Sequence, residues 1–323
     1  MTKIYKLNNK IKHYDWGSAQ ILPGFLGIEN SKGLPYAEMW MGTHSGAPSL
    51  VELDNKNADL AEISGELSFL FKLLAVEKPL SIQVHPGKIQ AQEGFEKENK
   101  AGIALDAPER NYKDPNHKSE IICALTPFTL MAGFKKPEDI YASFGTISDE
   151  QKKLIKHFET LYPGDGAVYT PLYFNLITLQ PGQAIYVPTG IPHAYISGFG
   201  LELMISSDNV LRGGLTSKYK DTDELNKIIK KEPFLPEIIT PSNQSVFNYP
   251  VPDEGFSLNL VRSNGEETVL DVNGSAIGIV TEGESQVDGS LFKKGESFFI
   301  CKDAEKIKLK GKFSLFIASG KIK

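Results

Sequence analysis

The length of the apolar runs restricts the fold more than any other feature. FLFKLLAV (69–76), LSIQVHP (80–86), EIICAL (120–125), NLITLQPG (175–182), AIYVPTG (184–190), LELMISS (201–207), FSLNLVR (256–262), AIGIVTEG (276–283) and FSLFIASG (313–320) all have strand length and are fenced by Gly, Pro, Asn or Asp. The chain is therefore expected to be mainly β. Helical period is confined to three stretches. Residues 148–161 are the best, with a Ser148/Gln151 capping-box pattern and Leu154, Ile155, Phe158 and Leu161 on one face. Residues 221–231 follow an Asp221 N-cap, and the polar stretch 86–101 is a weaker third candidate. At 323 residues there is room for two units. PSNQSVFNYPVPDEG (241–255), with three prolines and little periodicity, suggests a boundary between residues 1–240 and 241–323. All six histidines lie before it, so histidine chemistry belongs to the first unit.

Composition excludes several functions. Lys+Arg 35 against Asp+Glu 40 gives a net charge of -5, and no basic block breaks that mild acidity, so no nucleic-acid partner is expected. No apolar run approaches the 18 residues of a membrane span, and the opening 17 residues lack a secretory hydrophobic core, so the cytoplasm is the expected address. Cys123 and Cys301 are far apart in strand-like runs and offer neither a disulfide framework nor a metal pair.

Gln83 and His85 are two apart on an expected strand, so their side chains share a face. Glu120 opens the run EIICAL, and a Pro/Gly bend delivers His193 to the start of another strand. Two imidazoles, a carboxylate and an amide oxygen are a donor set that zinc accepts. Lys72 stands alone in an apolar run that is expected to be buried, where an ammonium is costly unless an anion or acceptor meets it. Ser81 has the same strand parity as Gln83 and His85, Tyr195 the same parity as His193, and Glu202 is an isolated carboxylate between Leu201 and Leu203. Arg212 precedes two glycines, which leave room beside its planar cation.

Gly182, Pro188, Gly190 and His193 resemble the second motif of cupins, although Ser197 stands where that motif has asparagine. The fold implied is two cupin-type jelly-roll barrels with a small helical insertion at about 135–165, the C-terminal barrel being metal-free. YDWG (14–17), AEMWMGTHSGAPS (37–49), PLSIQVHPGK (79–88), YKDPNHKSE (112–120) and SDNVLRGGLTSKYKD (207–221) resemble, in order, the type I mannose-6-phosphate isomerases. That resemblance implies one zinc per chain, held by Gln83, His85, Glu120 and His193. It also implies a phosphosugar substrate and an aldose-ketose isomerisation through an enediol or enediolate. Arg212 is placed at the oxyanion, with Glu202, Lys118 and His117 as candidates for proton transfer. Lys72, Ser81 and Lys218, with Lys118, are expected at the phosphate, and Trp16 and Tyr195 at the pocket wall. A monomer or weak homodimer is expected. Two other readings stay open on sequence: an iron-dependent cupin oxygenase using the same ligands, and a phosphosugar sensor without turnover.

Overall fold

The computed structural model describes residues 4–53 and 56–320. Its strands form two ten-stranded sheets, antiparallel in every strand pairing, in keeping with the cupin-type fold expected. Among the described residues no helix is long and apolar enough to cross a membrane.

The strand Phe69–Val76 is buried at all eight positions, which explains why its sequence is a continuous apolar run rather than an alternating one. Its odd face carries Phe71 and Leu73, which join Leu201, Leu203, Ile121 and Cys123 in the core between the two sheets. Its even face carries Leu74 and Val76, which join Ile122, Ala124 and Tyr195 inside the first barrel. The barrel interior is therefore apolar at one level and receives Lys72, Glu120 and Glu202 from the same strands.

The second sheet is built largely from the C-terminal third, but the N-terminal strand Ile4–Asn8 inserts between Ser297–Ile300 and Leu50–Leu53. Pairing thus crosses residue 240, and the shared core includes Leu7 and Met39 beside Tyr249, Phe256 and Ile277.

The helical insertion lies where the sequence places it, as Pro137–Gly145 and Asp149–Leu161 between the strands Phe128–Phe134 and Phe174–Leu179. Ser148 caps the second helix, its Oγ accepting from Gln151 N at 3.2 Å while Gln151 Oε1 accepts from Ser148 N at 2.9 Å. Lys88–Lys100 forms the third expected helix. The helix capped by Asp221 stops at Ile228, short of the expected 231. There Lys230 N leaves the helical pattern to donate to Gly190 O at 2.9 Å, tying this segment to the bend before His193.

Candidate active site and metal centre

Register brings the site residues into rows. The strand His193–Ile205 is the hub, pairing His193 with Gln83, which in turn pairs with Arg212 on Leu211–Gly214. Directly opposed residues share a face, so Arg212, Gln83 and His193 form one row. Farther along the hub, Glu202 opposes Lys72, and Lys72 opposes Trp40 on Glu38–Met41. His193 and Glu202 are nine apart, an odd spacing that would put them on opposite faces of a regular strand. A register shift between Tyr195 and Ser197 inserts the missing residue. The bend before His193 depends on Gly190, whose φ of +83° suits glycine and whose N–H donates to His85 O at 2.8 Å.

His85, Glu120 and His193 converge with their ligand atoms all within 4.8 Å of one another, and each residue is buried. His85 Nδ1 donates to Asn209 O at 2.8 Å and His193 Nδ1 donates to Ile191 O at 3.0 Å. Both rings thereby present a lone pair at Nε2, as metal-binding histidines do. His193 Nε2 lies 2.9 Å from Glu120 Oε1 and His85 Nε2 lies 3.4 Å from Glu120 Oε2. Glu120 Oε2 is buried and accepts no hydrogen bond. Lone pairs facing a carboxylate at these distances call for a positive charge, so the donor set fits a divalent cation such as zinc. Burial works against ionising Glu120, but the Lys118 ammonium beside it is the largest opposing influence, and the carboxyl is held well below its usual range. Burial and Lys118 push His85 down to about 3, which keeps the ring neutral and able to ligate. Gln83 enters the same row as His193 and lines the cleft above the cluster.

Lys118 Nζ lies 3.1 Å from His85 Nε2 and 3.4 Å from Glu120 Oε2. Lys72 has a partner other than the phosphate that sequence suggested: its Nζ donates to Glu202 Oε2 at 2.9 Å, lies 4.0 Å from Glu38 Oε2, and sits 5.0 Å from the Trp40 ring centroid. Burial would depress the ammonium's pKa, yet the carboxylates of Glu202 and Glu38 raise it above its ordinary value. Tyr195 is also displaced from its expected place on the pocket wall: fully interior, it donates to Glu120 Oε1 at 2.8 Å, and burial followed by the charge of Glu120 raises its pKa. His117 turns from the cluster and pairs with Asp253 at 2.7 Å.

A cavity of about 720 Å³ adjoins the cluster through Lys118, which lines it together with Lys72, Gln83, Arg212, Lys218, Glu38 and Trp40. An adjoining one of about 440 Å³ shares Gln83, Arg212 and Lys218 and adds Trp16 and Ser81. A groove of similar size over the C-terminal sheet, around Arg262 and Lys312, contains none of these residues. Two contributors escaped the sequence reading. Glu38 is buried, bonded to Trp40 Nε1, and pushed up in pKa by desolvation; the sequence signal was its shared parity with Trp40 beside a solitary lysine. Asn209 orients His85 through its backbone carbonyl, which no side-chain pattern reveals.

Fold and site together define a cupin-type metalloprotein with one buried His/Glu/His centre beneath a polar cleft. Residues 4–137 match the catalytic domain of type I phosphomannose isomerase. The mannose-6-phosphate isomerase of Salmonella typhimurium is 35% identical, with 95% of this chain and 97% of that protein aligned, and one from Arabidopsis thaliana is 29% identical over 94% of this chain and 90% of its own. A zinc-bound mannose 6-phosphate isomerase structure superposes with a TM-score of 0.88 at 32% identity, covering 99% of this chain and 100% of that one. The Salmonella typhimurium enzyme with fructose 6-phosphate and zinc gives 0.88 at 33% identity, with the same coverage. The chain belongs to the type I mannose-6-phosphate isomerase family. Neither the oxygenase nor the sensor alternative draws support from these relatives.

Proposed function

We propose that this cleft interconverts mannose 6-phosphate and fructose 6-phosphate through an enediol or enediolate, with one zinc per chain held by Gln83, His85, Glu120 and His193. The observation that carries the reading is the unsatisfied Glu120 Oε2 and its converging imidazoles at the base of a cleft lined by arginine and lysine. Zinc bound there supplies a Lewis acid beside the sugar's carbonyl and hydroxyl oxygens.

The remaining roles fall to side chains. Glu202 takes the C2 proton of the open-chain aldose and returns it to C1, while Lys72, paired to it, fixes its direction. Arg212, in the Gln83 and His193 row, faces the oxygen that gains charge. Lys118 exchanges the hydroxyl proton between the two oxygens. Ser81 lies two strand positions from Gln83, roughly 7 Å along the chain, and with Lys218 it receives the phosphate at the far end of the same substrate. Trp16 forms a side wall, stacked with Tyr14 at 5.9 Å between centroids, and Tyr195 orients Glu120. We assign the catalytic roles to residues 1–240 and a metal-free role to 241–323, and we read the protein as a cytoplasmic monomer or weak homodimer.

The test is metal analysis of protein purified without added metal, with a coupled assay on mannose 6-phosphate before and after chelation. One zinc per chain and activity lost on chelation and restored by zinc are expected. Full activity in metal-free protein, or in His85→Ala/His193→Ala, would overturn the reading.

A further inference from the structure

Lys118 is flanked by two residues that share one partner. His117 Nε2 and Ser119 Oγ both lie 2.7 Å from the same oxygen, Asp253 Oδ2. Asp253 comes from the proline-rich segment after the strand Val246–Tyr249, more than 130 positions along the chain. Its other oxygen, Oδ1, accepts from Gly255 N at 2.7 Å, which fixes the carboxylate within its own turn. Burial alone would raise its pKa, but the bonds from His117, Ser119 and Gly255 bring it down to about 2, so it is ionised at neutral pH.

Residues 117–120 lead directly into the strand Glu120–Ala124, and successive side chains there point to opposite sides. His117 and Ser119 point towards Asp253, while Lys118 and Glu120 point towards His85. A single carboxylate bonded to positions i and i+2 holds a strand against rotation about its own axis. The intervening side chain is then aimed. At the other end of the same loop, Asn209 accepts from Lys113 N at 2.7 Å and donates to Asn116 O at 2.8 Å. Asn209 therefore holds the entrance of the loop and Asp253 its exit into the strand.

We propose that Asp253 is a positioning residue for the isomerisation, acting through His117 and Ser119 to aim Lys118. This role rests on the reading of Lys118 as a group at the reacting oxygens. His117 is accordingly part of the clamp and not a proton relay, and the segment after residue 240 takes part in catalysis without touching substrate.

The experiment uses full-length zinc-loaded protein. Asp253→Asn keeps the shape but replaces an acceptor oxygen with a donor. It is expected to lower kcat per bound zinc roughly 10- to 100-fold, the usual loss for an outer partner of a metal site, while KM and zinc content stay near wild type. Ser119→Ala, a milder change suited to the case in which Asp253→Asn does not fold, is expected to give a smaller fall in kcat. In a Lys118→Met background Ser119→Ala should lower the residual turnover no further, because the interaction it disturbs acts through the missing ammonium. Wild-type kcat per zinc in either clamp variant overturns the proposal, whatever the melting temperature, and so does an undiminished effect of Ser119→Ala in the Lys118→Met background. Wild-type turnover in Lys118→Met alone would instead overturn the reading of Lys118, and the two failures are thus distinguishable.

Discussion

Lys72 and Glu202 face each other across neighbouring antiparallel strands and close to 2.9 Å inside the barrel, with Lys72 only 7% and Glu202 only 4% exposed. Glu38 stands 4.0 Å from the same ammonium, so one cation serves two buried carboxylates. Removing one partner of a buried pair leaves a charge that nothing compensates.

Lys72→Met is therefore expected to lower the unfolding free energy by about 3–5 kcal/mol, the range for breaking such a pair. Pairing it with Glu202→Gln should recover part of the loss. Urea unfolding of the two variants is the check. If Lys72→Met is as stable as the wild type, the ammonium is not held by these carboxylates and is available to a phosphate after all.

How much of this was legible in the sequence depends on whether the signal is local. FLFKLLAV announces a strand buried on both faces, and a lysine inside it announces a hidden anion, but the identity of that anion is a matter of strand order, which a sequence does not print. The row of Arg212, Gln83 and His193 has the same character. Parity places Gln83 with His85, yet only sheet pairing brings in residues more than 100 positions away. Glu202 shows the limit of parity itself, since a count from His193 gives the wrong face and the bulge near Ile196 restores the right one. His117 shows the same limit: its neighbour Lys118 faces the cluster while His117 pairs with Asp253, because adjacent residues in an extended chain point to opposite sides.

Glu202→Gln tests the proton-transfer role. The amide keeps the shape and can still meet Lys72 but cannot take a proton, so turnover should fall by about 10²- to 10⁴-fold. Zinc content should be unchanged. Solvent-deuterium incorporation into the substrate reports the step directly. Exchange at the wild-type rate would mean that another group moves the carbon-bound proton.

The acid limb of stability should report Asp253. Its folded value, about 2, lies below its ordinary 3.8, so the unfolded chain binds this proton more readily. The stabilisation is fully present above about pH 4 and is lost as pH falls towards 2. Chemical unfolding of wild type and Asp253→Asn from pH 6 to 2.5 should show a gap that is constant at the upper end and closes at the lower. A gap independent of pH would show that the bonds to His117 and Ser119 do not depend on the charge.

Arg212 and Lys218 present the complementary case, cations without a carboxylate in direct contact. Neither enters an ion pair among the described residues, although both line the same cleft. Burial lowers the pKa of each, and the Arg212 charge lowers Lys218 further. A lysine already depressed by a neighbouring arginine gains from an anion, and a phosphate carries about two negative charges at neutral pH. Lys218 is only partly withdrawn from water, so its contribution should be modest and uniform between ground state and transition state. Lys218→Met should accordingly raise KM for mannose 6-phosphate roughly fivefold, about 1 kcal/mol, with kcat nearly unchanged, the signature of lost uniform binding. Screening supplies an independent reading: KM of the wild type should climb with ionic strength, and the climb should be shallower in the variant. If KM and its salt dependence are both unaltered, the phosphate is held elsewhere, and Lys118 at the other side of the cleft is the next cation to test.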